Sequence, residues 1–484
     1  MSEPQSISTP LTIATAANAL RKGTLTAEAL LDAGLARIHA LDDRLKACVT
    51  LMESSARAEA QAADETLADK KQARRASPLL GATIGVKDLF MTRGVLTTAG
   101  SRVLADYIPD VDAAAVVRLR EAGAALVAKT QTHEFAYGTF TPPTCNPWDL
   151  TRTPGGSSGG SAVGVAVGYF LGALGSDTGG SVRIPAACCG VTGLKPTYGL
   201  VSRYGAVTLS TSYDHVGPIA RTVEDCALLL DALAGYDPRD PDSLDAPPMS
   251  YAAGLMDHRA PEEAVRGARI GVPRQFFFDG ADPEIIAAVQ AALGAYRDLG
   301  AEIVEVDMPT ELNGDLFGDG YRAVQRPEAT VYHEEMGWYP ARADRYTQST
   351  REALAAGKTV TAEAYIRGQR LRRELTGHLR ALLASLDALA MPTQPIPAPV
   401  VADLNEPLRL GDAEATKGYA MLRNTFPFDL TGQPAIAIPC GFTSAGLPIS
   451  LQLASGHFNE PALLRLGHAY QRVTDWHMRP PTLG

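Results

Sequence analysis

Apolar residues recur at helical spacing near the start of the chain. Leu31, Leu35, Ile38, Leu41 and Leu45 follow Thr26, a residue suited to capping a first turn. The spacing predicts an amphipathic helix, with Gly34 as its weak point. Ser54 to Arg75 continues in helical style with Ala and charge, so residues of about 8–75 read as a helical N-terminal region. The texture then changes. Gly81 to Asp88 is a short apolar run between glycines and reads as a buried strand ending at Lys87 and Asp88. Asp112 is placed to cap a helix with Val116, Val117 and Leu119 on its apolar side; Gly123 ends it, and Ala124 to Ala128 reads as a strand. Ala268 to Val272, a helix opened by Asp282-Pro283-Glu284 and closed near Gly300, and a strand over Ala301 to Val306 repeat the alternation. This order predicts an α/β fold. A single domain over 1–484 would hold a central mixed, mostly parallel sheet covered by helices on both faces.

Two segments break the alternation. Residues 236–261 are rich in Pro and Asp. Residues 309–385 begin with a stretch to Thr359 that mixes Gly, Tyr, Trp and charge without clear period. Long irregular stretches often line or cover a site, so both are expected to be substrate covers.

Composition narrows the function classes. The 54 acids exceed the 44 Lys and Arg, giving a formal charge of -10, which argues against a surface that grips a phosphate backbone. The six cysteines form no C-x-x-C pair and read as reduced, mostly buried thiols, with no metal site expected. The first twenty residues lack a basic segment followed by a clean apolar one, and the most apolar stretch, Ala162 to Gly175, is too short and Gly-rich to span a bilayer. A cytoplasmic protein without membrane or nucleic-acid partners is expected.

The chemistry concentrates between Pro154 and Arg183. One Gly-Ser cluster opens PGGSSGGSAVG, a second closes GSDTGGSVRIPA, and an apolar segment separates them. Glycine lets backbone approach a substrate closely, and a run of free N–H groups makes a nest for negative charge. Attack on a carbonyl needs such a nest, because charge develops on oxygen. Thr178, Gly179 and Gly180, directly before Ser181, are placed to supply it. Gly155 to Gly159 formally matches G-x-S-x-G, but Pro154 and two glycines stand where that elbow needs a strand. His133 and His215 have no supporting frame and read as structural. A phosphate- or nucleotide-binding use of the loops is the reading from another class, although no G-K-[ST] follows them.

GGSSGGS followed by GSDTGGSVRIPA, with Lys87 in Gly-Val-Lys-Asp upstream, resembles the amidase-signature family. The likeness continues through Gly193 to Gly205, Asp214 to Thr222, Leu430 to Pro439 and Gly446 to Gln452. The resemblance implies a serine hydrolase with no cofactor. Ser181 would be the nucleophile, Ser157, after a cis peptide bond, the proton relay, and Lys87 the general base. The backbone of Thr178, Gly179 and Gly180 would form the oxyanion hole, braced by Asp177 and Arg183. A lysine serves as a base only when desolvation or nearby positive charge lowers its pKa, and the end of an apolar strand suits that. Asp88 beside it is the open question.

The expected substrate is an aryl or alkyl amide, with carbamates (urethanes) and esters sharing acyl-enzyme chemistry. Phe135, Tyr137, Tyr321 and Trp338 are candidates for an apolar pocket, with Phe140, Tyr332 and Tyr339 beside them. A homodimer is the family-level expectation. The family also includes the glutamine-hydrolysing component of a tRNA-dependent amidotransferase, which is the alternative. Against it, Arg351 leads into Glu-Ala-Leu-Ala-Ala, not the Gly-Thr-Tyr-Ala-Leu-Ser of that component, and Met421, Leu422 and Asn424 stand where an acid is expected.

Overall fold

The N-terminal helix forms where its apolar spacing places it, over Ala27–Leu45, and the Thr26 side chain accepts from the N–H of Ala29. Gly34 is required by packing. A Cβ there would lie 2.4 Å from the carbonyl oxygen of Tyr169, so only glycine lets the helix sit this close to the sheet. The computed structural model describes residues 10–247, 249–255, 260–411 and 413–482. Among them, no helix is long and apolar enough to cross a membrane. All six cysteines are unpaired, and four are buried.

Eleven strands build one sheet: β1 (Cys48–Leu51), β2 (Thr83–Lys87), β3 (Ala125–Thr130), β4 (Gly172–Asp177), β5 (Thr192–Lys195), β6 (His215–Ala220), β7 (Arg269–Pro273), β8 (Glu302–Val306), β9 (Ala388–Pro392), β12 (Ala435–Phe442) and β13 (Pro448–Ala454). β10 (Pro407–Leu410) and β11 (Ala413–Thr416) form a separate hairpin. The order is β1-β3-β2-β4-β6-β5-β12-β13-β9-β7-β8. The sheet is mixed, as expected, but not mostly parallel: its four parallel pairs fall in two blocks, β3-β2-β4 and β9-β7-β8, against six antiparallel ones. Antiparallel pairs join the blocks through the centre. The strand–helix–strand units that the sequence displays are these outer blocks. The centre is made by strands joined without a crossover helix, which carry no such signature.

Two local expectations change. The helix after Asp112 runs Ala114–Glu121 with Ala113 at its start, because the Asp112 carboxylate is taken by the N–H of Arg93 at 2.7 Å and by Arg120 at 2.6 Å. The stretch from Pro309 to Thr359 is largely helical, through a π-helical segment Leu316–Arg322 and helices Ala323–Glu335 and Gln348–Gly357. Its glycines at 318 and 320 and Pro327 interrupt the apolar period that would have announced those helices.

Candidate active site

Lys87 ends β2 and Ser176 lies near the end of its parallel neighbour β4, so the carboxyl ends of two buried strands meet. The Lys87 amine donates to Ser157 Oγ and to Ser176 Oγ, both at 2.8 Å, and is fully buried. Burial pushes its pKa down to about 7, against the opposing charges of Asp177 and Asp214. Asp88 does not compete. Successive side chains of a strand point to opposite faces, and Asp88 turns to Lys129 at 3.3 Å and to the N–H of Thr98 at 2.9 Å.

Ser157 follows a cis Gly156–Ser157 bond. Its carbonyl accepts from the N–H of His133 at 3.2 Å, and Thr141 Oγ1 donates to the carbonyl of Gly155 at 2.9 Å. His133 thus braces the loop through its backbone, while its buried ring sits edge-on to Phe140 and lines the cavity. The helix Gly159–Ala166 then leaves the first loop, and the N–H of Ser158 ties it to the carbonyl of Ser181 in the second at 3.3 Å. Ser181 is 7% exposed and opens onto a cavity of about 470 Å³. Its hydroxyl makes no hydrogen bond to a described residue, so the lysine and first serine are joined while the second serine stands free.

The second loop is held from below by ionic contacts. The Asp177 carboxylate accepts from the N–H groups of Gly180 and Val182 and from Arg183 Nε at 2.9 Å. Arg183 also reaches Asp429 at 2.6 Å, Gln452 at 2.9 Å and the carbonyl of Thr425 at 2.9 Å, with no exposure at all. Burial alone would raise the Asp177 carboxyl, but the Arg183 guanidinium holds it well below the usual range. Burial and the neighbouring Asp177 push Asp429 well above it. The Lys195 amine donates to His215 Nε2 at 3.1 Å, and burial drives the pKa of the ring far down. It is a packed structural group.

Thr178, Gly179 and Ser181 line the cavity; Gly180 does not, because its N–H is taken by Asp177. Of the three expected donors, Thr178 and Gly179 stand on the cavity wall, and the Gly180 N–H is bonded within its own loop. Gly180 has φ +136°, and a Cβ there would meet Thr425 Oγ1 at 2.1 Å, so no other residue fits. Thr178 is anchored by its hydroxyl to Asp214 at 2.7 Å. Burial raises the pKa of that acid to about 6.

Of the expected pocket residues, Tyr137, Phe140 and Tyr321 line the cavity. Phe135 and Trp338 do not. They stack on each other at 5.6 Å in the core, with His333 and Tyr346 against Phe135, and are 1% and 6% exposed. Tyr332 and Tyr339 pack around the same cluster. Aromatic character alone did not separate wall from core. Nor does any described residue of 236–261 line the cavity. Its acids bind the neighbouring loop instead, Asp237 to Ser202 at 2.9 Å and Asp240 to Arg203 at 3.2 Å. The cover comes from the later segment, through Phe317, Arg322, Gln325, Arg326 and Thr350. Ser176, Asp214, Arg322, Gln325 and Arg326 were not singled out from sequence. Only Ser176, as the residue before Asp177 in the motif, and Asp214, at the head of the stretch Asp214 to Thr222, carried a legible signal.

Arg351 faces away from this space, donating to the carbonyl of Ala343 at 3.4 Å. Leu422 lines it, Met421 is buried among Ile184 and Cys188, and Asn424 is spent on the carbonyls of Phe277 and Pro392.

The family model described as Amidase matches residues 29–464. A protein of Roseiflexus sp. (strain RS-1), named as one of the subunits of glutamyl-tRNA(Gln) amidotransferase, is 43% identical, with 98% of each chain covered. One of Pseudomonas putida named amidase is 42% identical, again over 98% of each. A solved structure, described as an inhibitor-bound vestigial protein complex that reveals the origins of an s-triazine catabolic enzyme, superposes with a TM-score of 0.87. It is 32% identical, over 98% of this chain and 100% of that one.

Proposed function

The chain belongs to the amidase family, and on that premise we propose that it is a free-standing serine amidohydrolase of small aryl or alkyl amides. Carbamates (urethanes) and esters are open to the same acyl-enzyme chemistry. The buried amine of Lys87, 2.8 Å from Ser157 and lowered to a pKa of about 7, carries this reading. A lysine poised near neutrality has a neutral form available to accept a proton.

Ser181 Oγ attacks the amide carbon and gives its proton to Ser157, which passes its own to neutral Lys87. The charge on the carbonyl oxygen falls on the N–H groups of Thr178 and Gly179. Lys87 returns the proton through Ser157 to the leaving nitrogen, the C–N bond breaks, and the acyl group stays on Ser181 as an ester. Water, deprotonated along the same route, attacks that ester; the acid leaves and Ser181 regains its proton. Asp177 and Arg183 hold the loop without touching the reacting atoms.

Purified single chain should hydrolyse p-nitroacetanilide or an aryl carbamate, and Ser181→Ala and Lys87→Ala should abolish turnover with circular dichroism unchanged. Turnover that survives Ser181→Ala would refute the nucleophile assignment. The relative named for glutamyl-tRNA(Gln) amidotransferase favours a second reading, in which the chain hydrolyses glutamine within a complex. Against it, no Asp or Glu lines the cavity among the described residues to meet the glutamine ammonium. Strict dependence on a partner protein would reverse that preference.

A further inference from the structure

Two cations wall the catalytic cavity without a counter-charge. Arg322, the last residue of the π-helical segment, and Arg326, one turn further on, both line it, and neither makes an ion pair with a described residue. The Arg322 guanidinium lies 4.2 Å over the Phe317 ring, and its pKa is lowered by burial and by the like charge of Arg326. Asp315 is the acid whose charge reaches Arg322, but its carboxylate accepts from the N–H of Gly318 at 2.8 Å. Between the arginines, Gln325 is 5% exposed and its Nε2 has no hydrogen-bond partner. Tyr137, also on the cavity, turns its buried hydroxyl to the Gln325 side chain, within reach of the Arg326 charge, in a geometry that closes no hydrogen bond.

Each of these groups is costly as it stands. A buried donor left unmade carries its full desolvation penalty, and two guanidiniums close together repel. Solvated arginines account for the cations alone, but not for the Gln325 amide and Tyr137 hydroxyl beside them, which face each other without closing a hydrogen bond. One ligand relieves all four: a carboxylate, which accepts forked N–H bonds from guanidinium and further bonds from amide and hydroxyl. With no acid on the lining among the described residues, an ammonium finds no carboxylate partner there.

We propose that Arg322, Gln325, Arg326 and Tyr137 form a carboxylate subsite, and that the preferred substrates are amides bearing one free carboxylate and no ammonium. This rests on the hydrolase reading above. The reaction is the same: the amide C–N bond breaks, water supplies the new carboxyl oxygen, and an amine or ammonia leaves while the distal carboxylate is untouched.

The test compares two matched pairs, glutaramate against pentanamide and 4-acetamidobenzoate against acetanilide, with glutamine as the ammonium-bearing control. In at least one pair the anion should have the higher kcat/KM by about tenfold to a hundredfold, the gain typical of charged hydrogen bonds. That ratio should shrink about tenfold or more in Arg326→Gln and be partly restored in Arg326→Lys, which keeps the charge but loses the fork. Equal rates within both pairs, or glutamine exceeding glutaramate, would overturn the subsite. If wild type hydrolyses none of them, the hydrolase reading fails first and the subsite is judged by calorimetry. Ser181→Ala protein should then bind glutaramate about tenfold or more tightly than pentanamide, and Arg326→Gln should remove the difference. Equal binding of the two, or binding of neither, would refute the proposal.

Discussion

The floor and the wall of the catalytic cavity are built on opposite principles. On the floor, the Lys87 amine, the Asp177 carboxylate and the Arg183 guanidinium are buried, and each bonds to at least two partners. On the wall, Arg322 and Arg326 have no ion pair with a described residue, and Gln325 has a donor unmade. A saturated network fixes one geometry, because moving any member strands another buried group. An unsaturated wall is free to be completed by what it binds. On the reading proposed above, the floor holds one reaction constant and the wall tells substrates apart.

The largest break in that contrast should come from the floor. Lys87→Met keeps the volume and removes the buried amine, so turnover should fall by about 10⁴-fold or more, the scale of losing a member of a catalytic unit. The thermal midpoint should stay level or rise, since an isosteric apolar replacement removes a desolvation cost. Differential scanning calorimetry beside steady-state rates checks both halves.

Next in size, Arg183→Met should cost about 3–5 kcal/mol of stability, because it leaves Asp177 and Asp429 buried and facing each other. A denaturant midpoint close to wild type would show that the floor is not held as described.

The pH profile follows from Lys87. In the proposed mechanism the base acts when neutral, so kcat/KM should fall about tenfold per pH unit below 7 and level off above it. The charge of Asp214 favours protonated Lys87, so Asp214→Asn should move that limb to lower pH. An unmoved limb would mean that another group titrates.

At the boundary between floor and wall, a Cβ on Gly179 would meet the Tyr321 hydroxyl at 2.8 Å and Leu422 at 2.8 Å. Gly179→Ala should therefore cost about 1–3 kcal/mol through overpacking, and rate with it. The smallest effect on chemistry belongs to Trp338→Phe, which should lose roughly 1–3 kcal/mol of stability while leaving the ratio of rates between any two amides unchanged. A changed ratio would place Trp338 in the pocket after all.

The floor was legible in the sequence and the wall was not, for a physical reason. Lys87, Ser157, Asp177, Ser181 and Arg183 occupy short glycine-bounded motifs, where backbone approach and local turns leave few residue types that fit. The strand ending at Lys87, the Thr26 and Asp282 caps and the outer strand–helix–strand units are likewise local, set by spacing and capping within a few residues. Tertiary structure decided everything that depends on contact between distant segments. Asp88 turns to Lys129 on the next strand, the Gly180 N–H goes to Asp177, and Phe135 joins Trp338 in the core while Tyr321 reaches the cavity. The antiparallel centre of the sheet and the helical form of the wall belong here as well. Whether an arginine has a partner is a property of what folds against it, and no spacing along the chain records that.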